Sequence, residues 1–339
     1  MPDDKSTILV IGTGSIGERH LRCLQRIGRR EVAFCEPMEE RRADVALRYG
    51  IDASLVFPTL DEALSSAEFD CAVVAAPAPF HIPLGRQLAE AGIHILMEKP
   101  LSLSLVGVAG FRRLAADRGI VVAVGYVHHA HPAIRGVKEK LDSGEFGRLL
   151  EMRFDLGQPL AHFRPAYADV YFADHEMGGG TIQDMITHFY SVGDSLAGPV
   201  DRLVTHARHL ALPRVEVEDT VHTLASHGGI MASYATNMFQ PANEVCVTLN
   251  CEAGSLRASY QDRRFSWISE PAGEWQHESF ALDDWDEVYI RQNNAFLDAV
   301  DGKGSPVVGL ESAIRTLSVN VASLESARTQ SWQNVSYES

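Results

Sequence analysis

Four groups of residues in this 339-residue chain have types and spacings that can do chemistry. Gly12-Thr13-Gly14-Ser15-Ile16-Gly17 is a full GxGxxG, and it follows directly on the apolar run 7–11. In such a loop the first glycine permits a tight turn and the second lets the backbone approach a pyrophosphate. The third lets the helix pack close to the strand, and the helix start faces the negative charge. Glu36 ends the next apolar run, 19 residues past Gly17. A carboxylate there can accept hydrogen bonds from a ribose diol and repel the extra phosphate of NADP. Arg41 and Arg42 follow closely enough to reach a phosphate, but Pro37 removes a backbone donor from the same loop. Together these predict NAD, with NADP the weaker alternative. Lys99, in Met97-Glu98-Lys99-Pro100, ends the fifth apolar run. A cation there can polarise a substrate hydroxyl or carbonyl, though a lysine snorkelling at the surface has the same pattern. Finally, Asp184 and His188 stand four residues apart after Gly178-Gly179-Gly180. On one helix they share a face, so a histidine that takes a proton near neutral pH would lie beside a carboxylate that orients it. Alcohol oxidation needs that arrangement, and an ordinary hydrogen-bonded pair also fits it.

The elements that must hold these residues come in two textures. Up to about residue 126, short apolar runs (7–11, 31–35, 52–57, 70–76, 94–98 and 120–125) alternate with amphipathic segments at 15–28, 38–49, 59–67, 80–91 and 102–118. Runs rich in Val, Ile and Leu without polar alternation are strands buried on both faces, and strand–helix alternation at this spacing means a parallel doubly wound sheet. This predicts a Rossmann domain over 1–126. From 127 to 339 a helix at 132–142 and a strand at 148–156 precede a long irregular stretch, 157–177. After the GGG turn and a helix to about 197, consecutive strands fill 200–269, followed by helices at 287–300 and 310–328. Strands without intervening helices predict an antiparallel sheet, and the last helices are placed to pack back on the first domain. A sheet with one uncovered face predicts self-association as a homodimer or homotetramer through that face.

Composition narrows the partners. The 30 Lys+Arg against 45 Asp+Glu give a net charge of −15, which disfavours nucleic acid and anionic membrane surfaces. At 45% apolar and 22% charged residues the chain is globular in composition. The five cysteines form no CxxC pair and read as buried apolar residues in a reducing compartment. No apolar stretch approaches the ~18 residues of a membrane span, and the acidic start does not read as a signal peptide. A cytoplasmic protein is expected.

His128, His129 and His131, with His175, Asp184 and His188, invite a metal reading, but HHxH on a strand-to-helix connection splays its side chains, so no metal is expected. Arg164 and Tyr167, with His162 and Tyr171, lie in the long loop before the GGG turn and suit a polyhydroxylated ligand or a neighbouring subunit equally. Trp267, Trp275 and Trp285 read as core or interface residues.

Taken together, the GTGSIG start, Glu36, the segment from Pro77 to His81, Glu98-Lys99-Pro100, and GGG followed by Asp184-xxx-His188 resemble the glucose–fructose oxidoreductase/inositol dehydrogenase/MocA family over nearly the whole chain. The resemblance implies a Rossmann domain followed by an α+β domain with a large, open, mostly antiparallel sheet. It implies Lys99 and His188 as the catalytic pair with Asp184 beside them. Ala76, Pro77, His81, Glu98 and Lys99 would join the glycine loop and Glu36 around the cofactor. Tyr126, His128, Arg164, Tyr167 and Asp184 would face the substrate. The implied activity is NAD-dependent hydride transfer between nicotinamide and a secondary alcohol or ketone of a sugar, cyclitol or sugar derivative. Family alternatives are a glycosidase that uses NAD transiently and a sugar sensor without catalysis. One departure stands out: where many members carry Gly-Tyr-Asn-x-Arg-Phe-x-Pro, this chain has Gly125-Tyr126-Val127-His128-His129-Ala130-His131-Pro132, which puts substrate contacts carried over from the family in doubt there.

Overall fold

A computed structural model describes residues 6–337. The chain forms two compact units, one comprising the chain up to Val127 together with Asp284–Leu310, the other His128–Asp283 and the chain from Glu311 on.

In the first unit, β1 (Thr7–Ile11), α1 (Ser15–Ile27), β2 (Glu31–Cys35), α2 (Glu39–Tyr49), β3 (Val56–Phe57), α3 (Leu60–Ser66), β4 (Cys71–Val74), α4 (His81–Glu90), β5 (His94–Met97), α5 (Val108–Asp117) and β6 (Val122–Val124) build a six-stranded parallel sheet in the order β3-β2-β1-β4-β5-β6. Its central strands are closed to water on both faces: Ile8, Leu9 and Val10 are fully buried, each stabilising the fold by roughly 1.5–3 kcal/mol over its exposed state. Order reverses between β1 and β4, so the carboxyl ends of these two strands frame a crevice where such sheets bind ligands. Two elements are shorter than their patterns predict. Asp52 accepts a hydrogen bond from the Ser54 amide and turns 53–55 into a short 3₁₀ segment, leaving only Val56–Phe57 as β3. Ser102 and Ser104 accept bonds from the amides of Ser104 and Val106, which holds that stretch in turns until α5 starts at Val108.

The second unit runs through α6 (Pro132–Asp142), β7 (Leu149–Gly157), the short α7 (Leu160–Phe163), a series of 3₁₀ turns, α8 (Thr187–Ala197), β8 (Arg202–Arg208), β9 (Thr220–His227), β10 (Ile230–Asn237), β11 (Glu244–Cys251), β12 (Gly254–Ser259), β13 (Arg264–Ile268) and β14 (Gln276–Ser279). The chain then supplies α9 (Asp286–Val300) to the first unit and returns for α10 (Leu310–Thr329) and β15 (Gln333–Asn334). The nine-stranded sheet has the order β14-β13-β12-β11-β7-β10-β9-β8-β15. It is antiparallel except at its centre, where β7 runs parallel to β10. Phe154, Phe189, Tyr190 and Tyr234 belong to one buried cluster joining α8 to the sheet. Within it the Tyr190 hydroxyl lies 2.7 Å from Thr223 Oγ1 and 2.9 Å from Ser323 Oγ, while Thr205 Oγ1 is 2.8 Å and 2.9 Å from the same two oxygens. Because every member is satisfied, this buried hydroxyl network specifies one seating of α8 and α10 on the sheet. Leu224 on β9 and Met231 on β10 remain exposed. Among the described residues no helix is long and apolar enough to cross a membrane.

Candidate active site

The first unit gathers its candidate residues at the carboxyl ends of its strands. Gly12 turns with φ +85°, and its amide donates to Cys35 O at 2.9 Å. A Cβ on Gly17 would lie 2.0 Å from Gly12 O, so only glycine lets α1 start this close to β1. A Cβ on Gly14 would meet no heavy atom within 4 Å. The helix start therefore faces open space at Gly14, beside the exposed Ser15, which suits an anionic group, while Thr13 is buried against Glu36. Glu36 is buried beside this loop. Its Oε2 accepts from the Thr13 amide at 3.1 Å and the Thr13 hydroxyl at 2.9 Å, and Oε1 accepts from the Met38 amide at 3.0 Å. A carboxylate has about four acceptor sites, so three protein donors leave room for a ribose hydroxyl. Arg42 donates to the carbonyls of Glu36 (2.7 Å) and Pro37 (3.2 Å), which draws it against the loop. The geometry fits a dinucleotide whose diphosphate lies at the start of α1 and whose ribose lies at Glu36.

Around Lys99 the loops after β4 and β5 are tied together. The buried His81 ring sits 2.8 Å from both Ala76 O and Pro100 O, and burial holds its pKa below the usual histidine value. Pro77 begins the turn that leads into α4. Glu98 is also buried: Oε1 lies 2.8 Å from His20 Nε2, and Oε2 accepts from the Lys99 amide at 3.1 Å. Tyr126 is fully buried just beyond β6. His20 was not among the residues singled out in the sequence. A histidine three residues past a GxGxxG looks like any other on an amphipathic helix, and only the fold brings it to Glu98.

In the second unit the GGG turn is clamped from β9's approach. Glu218 O accepts from the Thr181 amide and hydroxyl at 3.1 and 2.8 Å. Its carboxylate accepts from the Ile182 amide at 2.8 Å and lies 2.5 Å from His175 Nε2, which raises the His175 pKa. A Cβ on Gly179 would lie 2.3 Å from Tyr171 O, so the close approach that the glycines allow is to the preceding loop. The next residues differ from a plain helix. Ile182–Ile186 is a π-helical turn, and α8 begins only at Thr187. Asp184 thus sits in the wide turn and His188 in the α-helix, so the two are four residues apart without being one α-turn apart. Both are buried. Asn320 Nδ2 donates to Thr187 Oγ1 at 2.8 Å and anchors the junction.

Asp184 is engaged by the long loop. Tyr171 donates its hydroxyl to Asp184 Oδ1 at 2.7 Å, and Arg164 Nη1 lies 3.0 Å from the Tyr171 oxygen and 4.0 Å from Asp184 Oδ2. Burial, with the adjacent carboxylate, pushes the Tyr171 phenol well above its usual pKa, so it remains a donor. Tyr167 lies elsewhere. It is buried with Leu160, Phe172 and Leu212, and its hydroxyl donates to Pro213 O at 2.7 Å. The structure therefore brings Asp184, Tyr171 and Arg164 together and leaves Tyr167 in a satellite core.

The histidine-rich segment forms an aromatic stack. The His128 ring packs edge-on to His188 with centroids 4.7 Å apart, and His128 Nδ1 lies 3.1 Å from the Tyr260 hydroxyl. His131 stacks on Tyr260 at 3.4 Å. Among the described residues no group of three or more His, Cys, Asp or Glu side chains comes together as a metal site. His129 turns the other way, with Nε2 2.9 Å from Ser191 Oγ on α8. Burial lowers its pKa to about 4, against an unfolded value near 6.5. A base whose folded pKa is depressed contributes stability above pH ~6.5 that is lost as pH falls toward 4, here on the order of 3 kcal/mol in all and about 2 kcal/mol by pH 5. The expected result is that His129→Gln narrows the difference in Tm between pH 7 and pH 5. An undiminished difference in thermal melts would refute the assignment.

Comparison with known proteins matches residues 6–126 to the oxidoreductase family with an NAD-binding Rossmann fold. Residues 134–257 match the GFO/IDH/MocA C-terminal domain. The chain is similar to UDP-N-acetylglucosamine 3-dehydrogenase of Acidithiobacillus ferrooxidans, 30% identical over 57% of this chain and 55% of that one. It is also similar to scyllo-inositol 2-dehydrogenase (NAD(+)) of Bacillus subtilis, 27% identical over 61% and 58%. The match thus spans little more than half the length of these relatives. In fold it resembles levoglucosan dehydrogenase in complex with NADH, with a TM-score of 0.87 at 19% identity over 98% of this chain and 99% of that one. With both halves of the family pattern matched in order over most of its length, the chain belongs to the GFO/IDH/MocA family of oxidoreductases, and its first unit is that family's NAD-binding Rossmann domain.

Proposed function

We propose that this protein is an NAD-dependent dehydrogenase of a secondary hydroxyl on a sugar, cyclitol or sugar derivative, or reduces the matching ketone. The observation that carries the reading is the second unit's arrangement: a buried carboxylate, Asp184, held by a phenol and a guanidinium of the long loop, on the π-helical turn that leads directly into α8 and His188. Those groups suit a neutral polyol, because hydroxyls both donate to a carboxylate and accept from Arg and Tyr. The names of the relatives, dehydrogenases of a nucleotide sugar and of an inositol, support the same class.

In the oxidative direction the His188 imidazole takes the hydroxyl proton. The Lys99 ammonium stabilises the developing alkoxide oxygen, and Asp184 orients His188 or accepts from a neighbouring hydroxyl. When bound, the nicotinamide supplies the acceptor for the hydride. Gly12, Thr13, Gly14, Ser15, Ile16 and Gly17 would hold the diphosphate and Glu36 the adenosine ribose. Ala76, Pro77, His81 and Glu98 are proposed to shape the inner wall of that cofactor site, with Tyr126 and His128 toward the substrate.

A screen of sugars, inositols and sugar acids for NADH formation by the purified protein tests the activity. Release of an aglycone without net NADH would favour the glycosidase alternative, and loss of response to every compound would favour the sensor, against which the presence of Lys99, Asp184 and His188 counts. NADH is expected to bind at least about tenfold tighter than NADPH, because a 2′-phosphate would meet the Glu36 carboxylate. A fluorescence titration in which NADPH binds as tightly would overturn that preference. We further propose that the sheet face bearing Leu224 and Met231 pairs with a second copy, which light scattering at micromolar concentration tests.

A further inference from the structure

We propose that His20 is a positioning residue for Lys99, acting through the Glu98 carboxylate. The inference rests on Lys99 being the charge-stabilising group proposed above. His20 has no exposed surface, and its ring packs edge-on to Tyr289 with centroids 5.5 Å apart. Its Nε2 lies 2.8 Å from Glu98 Oε1. The other carboxylate oxygen, Oε2, accepts the amide of Lys99 itself at 3.1 Å. On a third side stands Gly125, whose amide donates to Met97 O at 2.8 Å. A Cβ there would fall 2.8 Å from Glu98 Oε1 and 2.9 Å from Cδ, so the backbone at 125 leaves no spare room for the carboxylate.

A buried carboxylate without donors is strongly disfavoured, so each of these contacts holds it in one rotamer. In that rotamer it fixes the backbone amide from which the Lys99 side chain departs. Removing the His20 donor leaves Oε1 buried and unsatisfied. The carboxylate then turns to find water or another donor, and the Lys99 amide loses its acceptor. Of the three supports, His20 is the one whose side chain is replaceable without touching the strand ends, which makes it the residue to test.

The experiment uses full-length His20→Phe, His20→Gln and Gly125→Ala proteins. Phenylalanine keeps the ring packed on Tyr289 and removes the donor. Glutamine places an amide nitrogen about where Nε2 stood. Gly125→Ala pushes the same carboxylate from the opposite side. Competitive acetylation with trace acetic anhydride, read by mass spectrometry on Lys99 against Lys138 and Lys303 and without added cofactor, reports the lysine directly. Lys99 is expected to label at least about threefold faster in His20→Phe and in Gly125→Ala than in the wild type, and at the wild-type rate in His20→Gln, with Tm of His20→Phe within a few degrees. With a substrate from the screen, His20→Phe should lower kcat about tenfold to thirtyfold while KM stays within about threefold, the loss of one hydrogen bond to a charged group. Unchanged Lys99 labelling in both His20→Phe and Gly125→Ala would overturn the proposal. So would a fall in Tm shared by His20→Phe and His20→Gln without recovery in the latter, which marks a purely structural role. A Lys99→Ala protein with full turnover would sink the reading of Lys99 while leaving the labelling result to stand or fall separately.

Discussion

His188→Ala and Lys99→Ala should each lower turnover at least about a hundredfold while NADH affinity changes less than about threefold. A positioned general base contributes typically 10²–10⁴ in rate, and one donor to a developing oxyanion about 10²–10³. Neither side chain belongs to the glycine loop or to the Glu36 pocket, so the bulk of the dinucleotide contacts survive both changes. Because in the proposed mechanism the two act on the same oxygen and its proton, the double variant should fall little below the worse single one. Lys99→Arg is not a conservative rescue, since a planar guanidinium cannot present its charge as a compact ammonium does. Steady-state rates with the substrate from the screen, beside NADH titrations, check all three. If both single variants kept most of their activity, the site assignment would be wrong.

The second large effect concerns two glycines of one loop, and it separates folding from binding. Gly17→Ala forces a Cβ to within 2.0 Å of Gly12 O, which is backbone and cannot swing away. Such overpacking costs about 1–3 kcal/mol and should lower the Tm of the first unit by roughly 5 °C, with NADH binding at least about a hundredfold weaker because the loop itself is displaced. Gly14→Ala puts its Cβ into open space at φ −64° and ψ −176°, an unstrained conformation for alanine. Tm should stay unchanged while NADH binding weakens about tenfold, since that methyl intrudes only on the space in front of the helix start. Calorimetric melts and NADH fluorescence, measured on the same preparations, distinguish the two. If Gly14→Ala bound NADH as the wild type does, the diphosphate would not lie over Gly14.

Much of the fold was legible in the sequence because burial leaves plain marks. Runs such as TILVI and CAVV are apolar without alternation, which only a strand covered on both faces tolerates, and the parallel six-stranded sheet follows. The second sheet was legible as strands but not in its pairing. Alternation along 149–157 says that β7 has one wet face, and it is silent about which strand lies beside it. The parallel pairing of β7 with β10 is therefore beyond a pattern that predicts only antiparallel neighbours. The π-helical turn at 182–186 was invisible for a related reason: one widened turn leaves the types of residue unchanged. Glu36, Lys99 and Asp184 were legible as candidates because charged residues beside apolar runs and a glycine turn break the local pattern. His20 was hidden because its significance lies in a partner 78 residues away. In the long loop, composition offered two tyrosines without distinction. The Tyr171 hydroxyl reaches Asp184, whereas the Tyr167 hydroxyl reaches a backbone carbonyl.

The return of α9 to the first unit has a consequence for the order in which this protein can be made. Phe296 and Leu297 of α9 share a core with Leu21 and Leu24 of α1. Arg22 finds Asp286 at 2.7 Å, and Arg30 spans Asp70 and Asp301. A nascent chain that has reached Val127 carries all six strands of the parallel sheet, yet one flank of α1 still faces water, Arg22 lacks Asp286, and Arg30 has Asp70 but not Asp301. The missing helix is not complete until about 170 residues later, roughly nine to thirty-five seconds at common rates of synthesis. Through that interval the dinucleotide domain waits as an unfinished surface. The stretch of the message that encodes α9, rather than the one that encodes the strands, decides when the flank of α1 becomes a folded surface.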